Sequence, residues 1–580
     1  MKSSVKITFY PQNITLSVPV GSSLKEIAAQ HSILIDFACG GQGQCGKCKV
    51  EIKNGLTTPN QVEKKLLSKE ELKNNIRLAC RTRVKQNMVI ITSGQGSVAQ
   101  KNTISFIPSS LDQFHPAVKK SAPGCYITEQ AANYGLALDI GTTTVAGSLI
   151  DLTNGAEIAA AAETNTQSVY GSDVISRINY AVTQKDGLAE LQQKIIAVIN
   201  KISSQLIQKT SIKPAKINDV AVVGNTVMQH LLLGVKVDTL AVLPFEPAYQ
   251  GAVNTKASEL KINVNPDANT YIFPHIAGFV GGDAVGLILA LDLHRQSKIN
   301  LAIDIGTNGE IVLGSKKGLV ATSTAAGPAF EGVRINCGMR AVSGAIESVR
   351  LTERKIIFKT IADTPPAGIC GSGLIDILAE LLKLEIINET GLMRSKDELS
   401  SPKKLPAYLL QSLISNGQSR SYRGRPPAFW FFRNKNRILK ITQSDIRELQ
   451  LAKGAIAAGI TLLRKEAGVA TGDLERIFIA GTFGNYLDKK NAQAIGLIPD
   501  ISLERVVFVG NAALTGAKLA LISREARADA EKIARTTGCL NLSQHKMFQD
   551  EFAEAMYFKP RPPRCPSGSG TRSKPRNTKS

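Results

Sequence analysis

The chain has 580 residues, 43% hydrophobic and 20% charged, which excludes a disordered or fibrous protein and leaves room for several cores. Its net charge of +22 is local: residues 415–440 and 559–580 each hold seven Lys/Arg and no acid, and the rest carries only +8, so no nucleic-acid partner is expected. The opening MKSSVKITFYPQN lacks an apolar leader and no run of about 18 apolar residues occurs, so the expected location is the cytoplasm, with no membrane span.

The first elements form a compact unit. SVKITF and NITLSV alternate at period two around Pro11-Gln12-Asn13 and read as a hairpin. SSLKEIAAQHS follows as a helix, with Ser23 and Glu26 in capping-box spacing. Then comes DFACGGQGQCGKCKVEI, which fits both GxGxxG and GxxxxGK. Both phosphate readings fail on context: Cys48 stands where a P-loop needs Ser/Thr, and CKVEIKNG continues as a strand turning at Asn54-Gly55, not as a helix.

A metal reading fits instead. Nine cysteines are too few for a disulfide scaffold, and four lie in the first 80 residues. Cys39, Cys45 and Cys48 are spaced C-x5-C-x2-C, and Cys80 follows in IRLACRTRV. Four thiolates suit a 2Fe–2S cluster, in which each iron takes two cysteine sulfurs beside two bridging sulfides. Gly40, Gly41, Gly43 and Gly46 let the backbone wrap closely through positive φ. A zinc ribbon would pair two C-x2-C knuckles, and Cys80 has no such companion. The hairpin–helix–cysteine-loop order resembles a β-grasp 2Fe–2S ferredoxin, with the x5 spacing nearer the adrenodoxin-like pattern than the plant type.

Residues 95–132, rich in Pro, Ser and Gly and holding the lone Cys125, read as a linker. Beyond it the chain repeats. YGLALDIGTTTVAGSLIDL starts at Tyr134 and NLAIDIGTNGEIVLGSKKG at Asn300, placing Asp139 and Asp304 165 residues apart, a lobe spacing. In each copy a strand ends in Asp-Ile-Gly-Thr, turns and returns. Gly141 and Gly306 admit a phosphate; Thr142, Thr143, Thr144, Thr307, Asn308 and Gly309 offer hydroxyl, amide or backbone N–H donors. Asp139 and Asp304 suit Mg²⁺ held through water. A third element, the apolar strand Ile477 to Ala480, ends in Gly481-Thr482-Phe483-Gly484, where Gly481 and Gly484 let a base and ribose lie against the backbone.

Two Asp-Gly hairpins and a later glycine turn resemble the superfamily of actin, heat-shock ATPases, and acetate and sugar kinases. With a ferredoxin module ahead of them, the chain resembles the reductive activators of corrinoid-dependent proteins over residues 1–558. NTQSVYGSDVISRINYA, VVGNTVMQHLLLG, FPHIAGFVGGDAVG, AAGPAFEGVRINCGMRAVSGAI and GICGSGLIDILAELL add to the likeness. The resemblance implies an α+β multidomain fold: a β-grasp ferredoxin domain (1–94), the linker (95–132), and a two-lobed α/β actin-like ATPase with ribonuclease H-like lobes. Those lobes are a middle domain (133–297) and a C-terminal domain (298–558), followed by a basic tail (559–580). It implies ATP and Mg²⁺ beside the cluster, an external electron donor, and a corrinoid-binding protein of a methyltransferase system as partner. One electron would pass to Co(II), restoring Co(I). A homodimer is left open. The alternatives are a small-molecule kinase with a redox-sensing ferredoxin domain, and a plain electron carrier.

Several residues have plainer readings. Cys337 and Cys370 could belong to a second cluster, as in activators that share one between subunits, but free buried thiols are common. His230 and His275 stand in apolar contexts and read as core residues. Asp283 fits a helix cap or a nucleotide contact equally. PPAFWFFRNKNRILK could stack single-stranded nucleic acid, dock a partner or form a solvated loop, and no nucleic-acid module surrounds it.

Overall fold

The computed structural model describes the chain from Ser4 to Phe558 apart from residues 11, 32, 34, 36, 38–39, 44–45, 68, 93–132, 333, 400–404, 415–426, 435–436 and 482–486. The linker, Cys125 and the basic tail therefore lie outside the described residues.

The front unit is one five-stranded sheet in the order β2-β1-β5-β3-β4. β1 (Ser4–Tyr10) and β2 (Ile14–Pro19) form the expected hairpin, and α1 (Leu24–Gln30) follows. β3 (Lys49–Asn54) leaves the cysteine loop, α2 (Gln61–Leu66) and α3 (Lys69–Lys73) cross over, and β4 (Ile76–Leu78) and β5 (Met88–Thr92) close the sheet. Alternation drives this: Ile7, Phe9, Val50, Ile52 and Ile90 face Leu24 and Ile27 of α1 in a dry core. The capping box is a correction: Ser23 sits in an isolated β-bridge with Arg83, and its side chain makes no cap bond to the first turn of α1.

The remaining chain forms two lobes of matching design. In the first, β6 (Tyr134–Ile140), β7 (Thr144–Asp151) and β8 (Glu157–Thr164) make an antiparallel meander. After α4 (Val174–Thr183) and α5 (Gly187–Thr210), β9 (Ile217–Gly224) joins parallel to β6. α6 (Thr226–Leu233), β10 (Val253–Lys256), β11 (Asn269–Ile272) and α7 (Gly282–Ala290) complete the order β10-β11-β9-β6-β7-β8.

The second lobe repeats the plan. β12 (Asn300–Ile305), β13 (Gly309–Ser315) and β14 (Gly318–Thr324) are its meander. An insertion follows, built from β15 (Ala345–Leu351), β16 (Ile356–Thr360), β17 (Gly368–Ile369), α8 (Gly371–Lys383), α9 (Ala407–Ser412), β18 (Leu413–Ile414), β19 (Ala428–Arg433) and β20 (Ile438–Thr442). The long α10 (Gln443–Glu466) returns the chain to β21 (Arg476–Ala480), α11 (Lys489–Ala494), β22 (Val506–Gly510), α12 (Ala512–Ile522) and α13 (Arg524–Thr536). β23 (Gly538–Cys539) extends the sheet to β22-β21-β12-β13-β14-β23, and α14 (Phe548–Ala555) ends the fold. β12 and β21 are buried almost continuously, as parallel strands covered on both faces must be.

Among the contacts that join the lobes, two involve α7, α12 and α13. α7 and α12 touch at glycines: a Cβ on Gly516 would lie 2.4 Å from the Gly286 Cα. Behind them, Arg527 of α13 pairs with Asp219 of β9, a carboxylate with 0% exposure, and stacks 4.7 Å from the Tyr271 ring.

The aromatic segment is not a stacking platform. In β19, Phe429 and Phe431 are buried in the second lobe's core, and Trp430 donates Nε1–H to the Gln411 carbonyl. His230 and His275 are buried, as expected of core residues, and stack at 5.4 Å. Cys337 and Cys370 each bond to main chain, at Lys440 and Ile346 respectively. Among the described residues no helix is long and apolar enough to cross a membrane.

Candidate functional site

Each glycine hairpin sits at the end of its meander, and the two face one another. Gly141 N–H bonds to the Thr144 carbonyl at 3.1 Å and Gly306 N–H to the Asn308 carbonyl at 3.0 Å, so each strand reverses within a few residues. A Cβ at Gly141 would lie 2.5 Å from that Thr144 oxygen. Asp139, Gly141, Thr142, Thr143 and Thr144 line one wall of a cavity of about 130 Å³; Asp304, Gly306, Thr307 and Asn308 line the other. Gly309 opens β13 and pairs with Ile305 just outside it. Gly481, with φ of +94°, closes one end: a Cβ there would lie 2.9 Å from Asp304 Oδ1. Gly484 lies outside the described residues.

Asp283 lines the same cavity from the first turn of α7, whose N-cap is Gly281. It thus joins the cleft, and although the N-cap position is Gly281 its carboxylate also accepts the first-turn Ala284 N–H at 2.8 Å. Glu310 adds a further carboxylate. Burial raises the Asp139 carboxyl to about 6 despite the Asn511 hydrogen bond. Burial, then the charges of Asp139 and Asp283, raises Asp304 to about 8. Asp283 and Glu310 move up for the same reasons. Carboxyls crowded until they resist ionising form a donor set that a cation would relieve. Among the described residues no three acidic, His or Cys side chains converge to chelate a bare ion. That suits Mg²⁺ with water in its coordination shell better than a dehydrated cage.

Several residues that sequence reasoning gave no role build this site. Asn225 caps α6 and donates to Thr142 Oγ1 at 3.1 Å. Asn511 caps α12 and donates to Asp139 Oδ2 at 2.6 Å. Both follow a strand ending in Val-Gly, so the repeated VGN was a usable signal. Asn165 donates to the Gly141 carbonyl at 2.9 Å, and the buried Arg177 donates to the carbonyls of Thr142 and Gly171 and to Gln167. These two fix the first hairpin from behind. Glu331 accepts from Thr143 and Thr307, one threonine on each hairpin.

At the front unit, Cys48 and Cys80 sulfurs lie 3.2 Å apart. That is too far for a disulfide, about 2.05 Å, and close enough to share one metal ion. Cys39 and Cys45 lie outside the described residues. The glycines of the loop behave as their type requires, with φ of 60°, 80°, 75° and 67° at Gly40, Gly41, Gly43 and Gly46. The Cys48–Cys80 pair beside this loop fits the two thiolates that one iron of a 2Fe–2S cluster takes. The loop abuts the first lobe: a Cβ on Gly40 would lie 3.0 Å from the Tyr170 carbonyl, Val169 and Tyr170 pack into the front core, and Lys194 donates to the Ala29 carbonyl.

The chain is 30% identical over 587 aligned positions to the corrinoid activation enzyme RamQ of Eubacterium limosum, covering 93% of this chain and 96% of that one. It belongs to the family of reductive activators of corrinoid-dependent proteins. Family descriptions match three stretches of this activator: a 2Fe-2S iron-sulfur cluster binding domain over 7–85, the RACo middle region over 134–296, and the C-terminal ASKHA domain of RACo over 298–565. A solved reductive activator for corrinoid, iron-sulfur protein shares 31% identity, with a TM-score of 0.68, over 95% of this chain and 98% of that one. The Co(II) methylated amine-specific corrinoid protein reductase of Methanosarcina barkeri is 27% identical over 69% of this chain and 72% of its own length.

Proposed function

We propose that this activator transfers one electron, under ATP control, from a 2Fe–2S cluster to the Co(II) corrinoid of a partner methyl-transfer protein, restoring Co(I). The observation that carries this reading is one chain holding both a cysteine loop and an acidic cleft between two glycine hairpins, with the segment 165–177 touching both. Cys39, Cys45, Cys48 and Cys80 would hold the cluster, which supplies one-electron storage.

The other roles fall to the cleft. The hydroxyl, amide and backbone donors of Thr142 to Thr144 and of Thr307 to Gly309 hold the nucleotide phosphates. Asp139 and Asp304 hold Mg²⁺ through water. Gly481 and Gly484 leave room for the adenosine. A nucleotide that shifts the first hairpin moves Thr142, hence Arg177 and Gly171, next to the Tyr170 carbonyl that abuts Gly40. Reducing Co(II) from a ferredoxin potential is uphill, and about 59 mV costs about 1.4 kcal/mol for one electron, so differential binding of nucleotide and partner has to supply the deficit. The domains assigned to these tasks are 1–94, 133–297 and 298–558, with 95–132 as tether and 559–580 as tail. An external donor recharges the cluster, and the cytoplasm is the expected compartment.

The test is anaerobic titration of the reduced protein into a Co(II) corrinoid protein with and without ATP, following the Co(I) absorbance. ATP-dependent growth of that band is expected. Growth independent of ATP would favour a plain carrier. ATP turnover that requires only a metabolite would favour a kinase.

A further inference from the structure

Glu331 occupies the position where the two hairpins come closest. Its Oε2 accepts from Thr143 Oγ1 at 2.7 Å and its Oε1 from Thr307 Oγ1 at 2.6 Å. The two hydroxyls are 3.0 Å apart. Each has a single proton, and a carboxylate is the stronger acceptor, so both protons point at Glu331. The carboxylate therefore clips the first lobe to the second across the cleft.

Its backbone is held as firmly as its head. Glu331 ends the short turn Pro328–Glu331, whose Pro328, Ala329 and Phe330 are buried. The Gly327 N–H bonds to the Thr307 carbonyl at 3.0 Å, tying that turn to the second hairpin. Gly332, with φ of +75°, follows it, and a Cβ there would lie 2.5 Å from the Met339 nitrogen. The cavity beneath is about 130 Å³, well short of the roughly 300–1,000 Å³ of ordinary small-molecule sites. A phosphate reaches these two hydroxyls only by displacing the carboxylate.

We propose that Glu331 is an internal competitor for nucleotide phosphate: a positioning residue whose carboxylate takes the Thr143 and Thr307 donors and holds the cleft shut until a phosphate displaces it. This rests on the ATP reading above. A phosphate oxygen and a carboxylate oxygen seek the same two protons, and two anions do not share them without cost. Binding is then an exchange of one anion for another, and only the phosphate-bearing part of the ligand feels it.

The experiment is Mg²⁺-free displacement of a fluorescent nucleotide from full-length wild type and Glu331→Gln, with ATP and adenosine as competitors. The amide keeps the size and loses the charge. ATP is expected to bind the variant about tenfold more tightly, one charge-assisted hydrogen bond's worth of lost competition. Adenosine should compete equally in both proteins, or in neither. A merely structural role would weaken or leave unmoved both ligands together. Should E331Q not fold, Glu331→Asp, which withdraws the carboxylate by one methylene, is expected to shift ATP alone in the same direction. ATP binding unchanged or weakened in the variants, with wild type binding normally, overturns the competitor role and leaves the ATP reading standing. Failure of wild type to bind any nucleotide, with or without Mg²⁺, overturns the ATP reading itself.

Discussion

Replacing Arg527 by Met tests how the lobes are held together. Asp219 has no exposure, and its partners are Arg527, Asn269 Nδ2 at 3.3 Å and the Val220 backbone N–H. Burial raises the Asp219 carboxyl, and Arg527 is the first of the groups that pull it back. Without Arg527 the carboxylate keeps its desolvation cost and loses its counter-charge. Breaking such a pair costs about 3–5 kcal/mol, and the lost stacking on Tyr271 adds about 0.5–1 kcal/mol. Protonation limits the loss. A carboxyl raised in the fold contributes stability that is present below the unfolded value and lost as pH rises. Taking up the proton costs about 1.4 kcal/mol per pH unit above roughly 3.9. That ceiling is about 1.5 kcal/mol at pH 5 and above 5 at pH 8. Urea unfolding of R527M should therefore show a deficit of about 3–5 kcal/mol at pH 8 that shrinks to about 2 at pH 5. The double variant Asp219→Asn with R527M should recover most of it. A pH 8 deficit below about 1 kcal/mol, or one that does not shrink at pH 5, refutes the reasoning.

Cys48→Ser is expected to remove the visible cluster absorbance after anaerobic reconstitution while ATP hydrolysis continues; an unchanged spectrum would end the cluster assignment. Asp304→Asn should do the reverse, keeping the spectrum and abolishing hydrolysis. Because burial and two neighbouring carboxylates raise Asp304 to about 8, the native carboxyl loses stability as pH climbs from about 4 to 8. D304N lacks that loss and should be more stable at pH 8, by up to about 5 kcal/mol at about 1.4 kcal/mol per pH unit, and equal to wild type near pH 4, measured by urea unfolding in chelator. Gly516→Ala would stabilise an ordinary helix by about 1 kcal/mol. Here the methyl meets the backbone of α7 at 2.4 Å, so a loss of about 1–3 kcal/mol is expected by thermal unfolding; a gain would show that the helices separate freely.

Much of this arrangement could be read locally. The period-two runs of β1 and β2 gave the hairpin, and the glycines of the cysteine loop adopt the positive φ expected of them. The duplicated Asp-Ile-Gly-Thr turns do face one another. The capping box at Ser23 was legible and absent: Ser23 is drawn into a β-bridge with Arg83, and its hydroxyl makes no cap bond. The aromatic segment before α10 looked like a surface device, and β19 buries Phe429 and Phe431 in the core.

The chain's order of residues by itself determined the ferredoxin-like module, the two hairpins and the strand before Gly481, because turn chemistry and hydrophobic period act within a few residues. Only the tertiary structure decided which other groups complete the cleft. Asn511 reaches Asp139 across 372 positions, and Glu331 bridges Thr143 and Thr307 from a turn with no charge pattern of its own. Hydrogen-bond partners so far apart are set by how two sheets pack through α7 and α12. No short stretch of sequence carries that geometry.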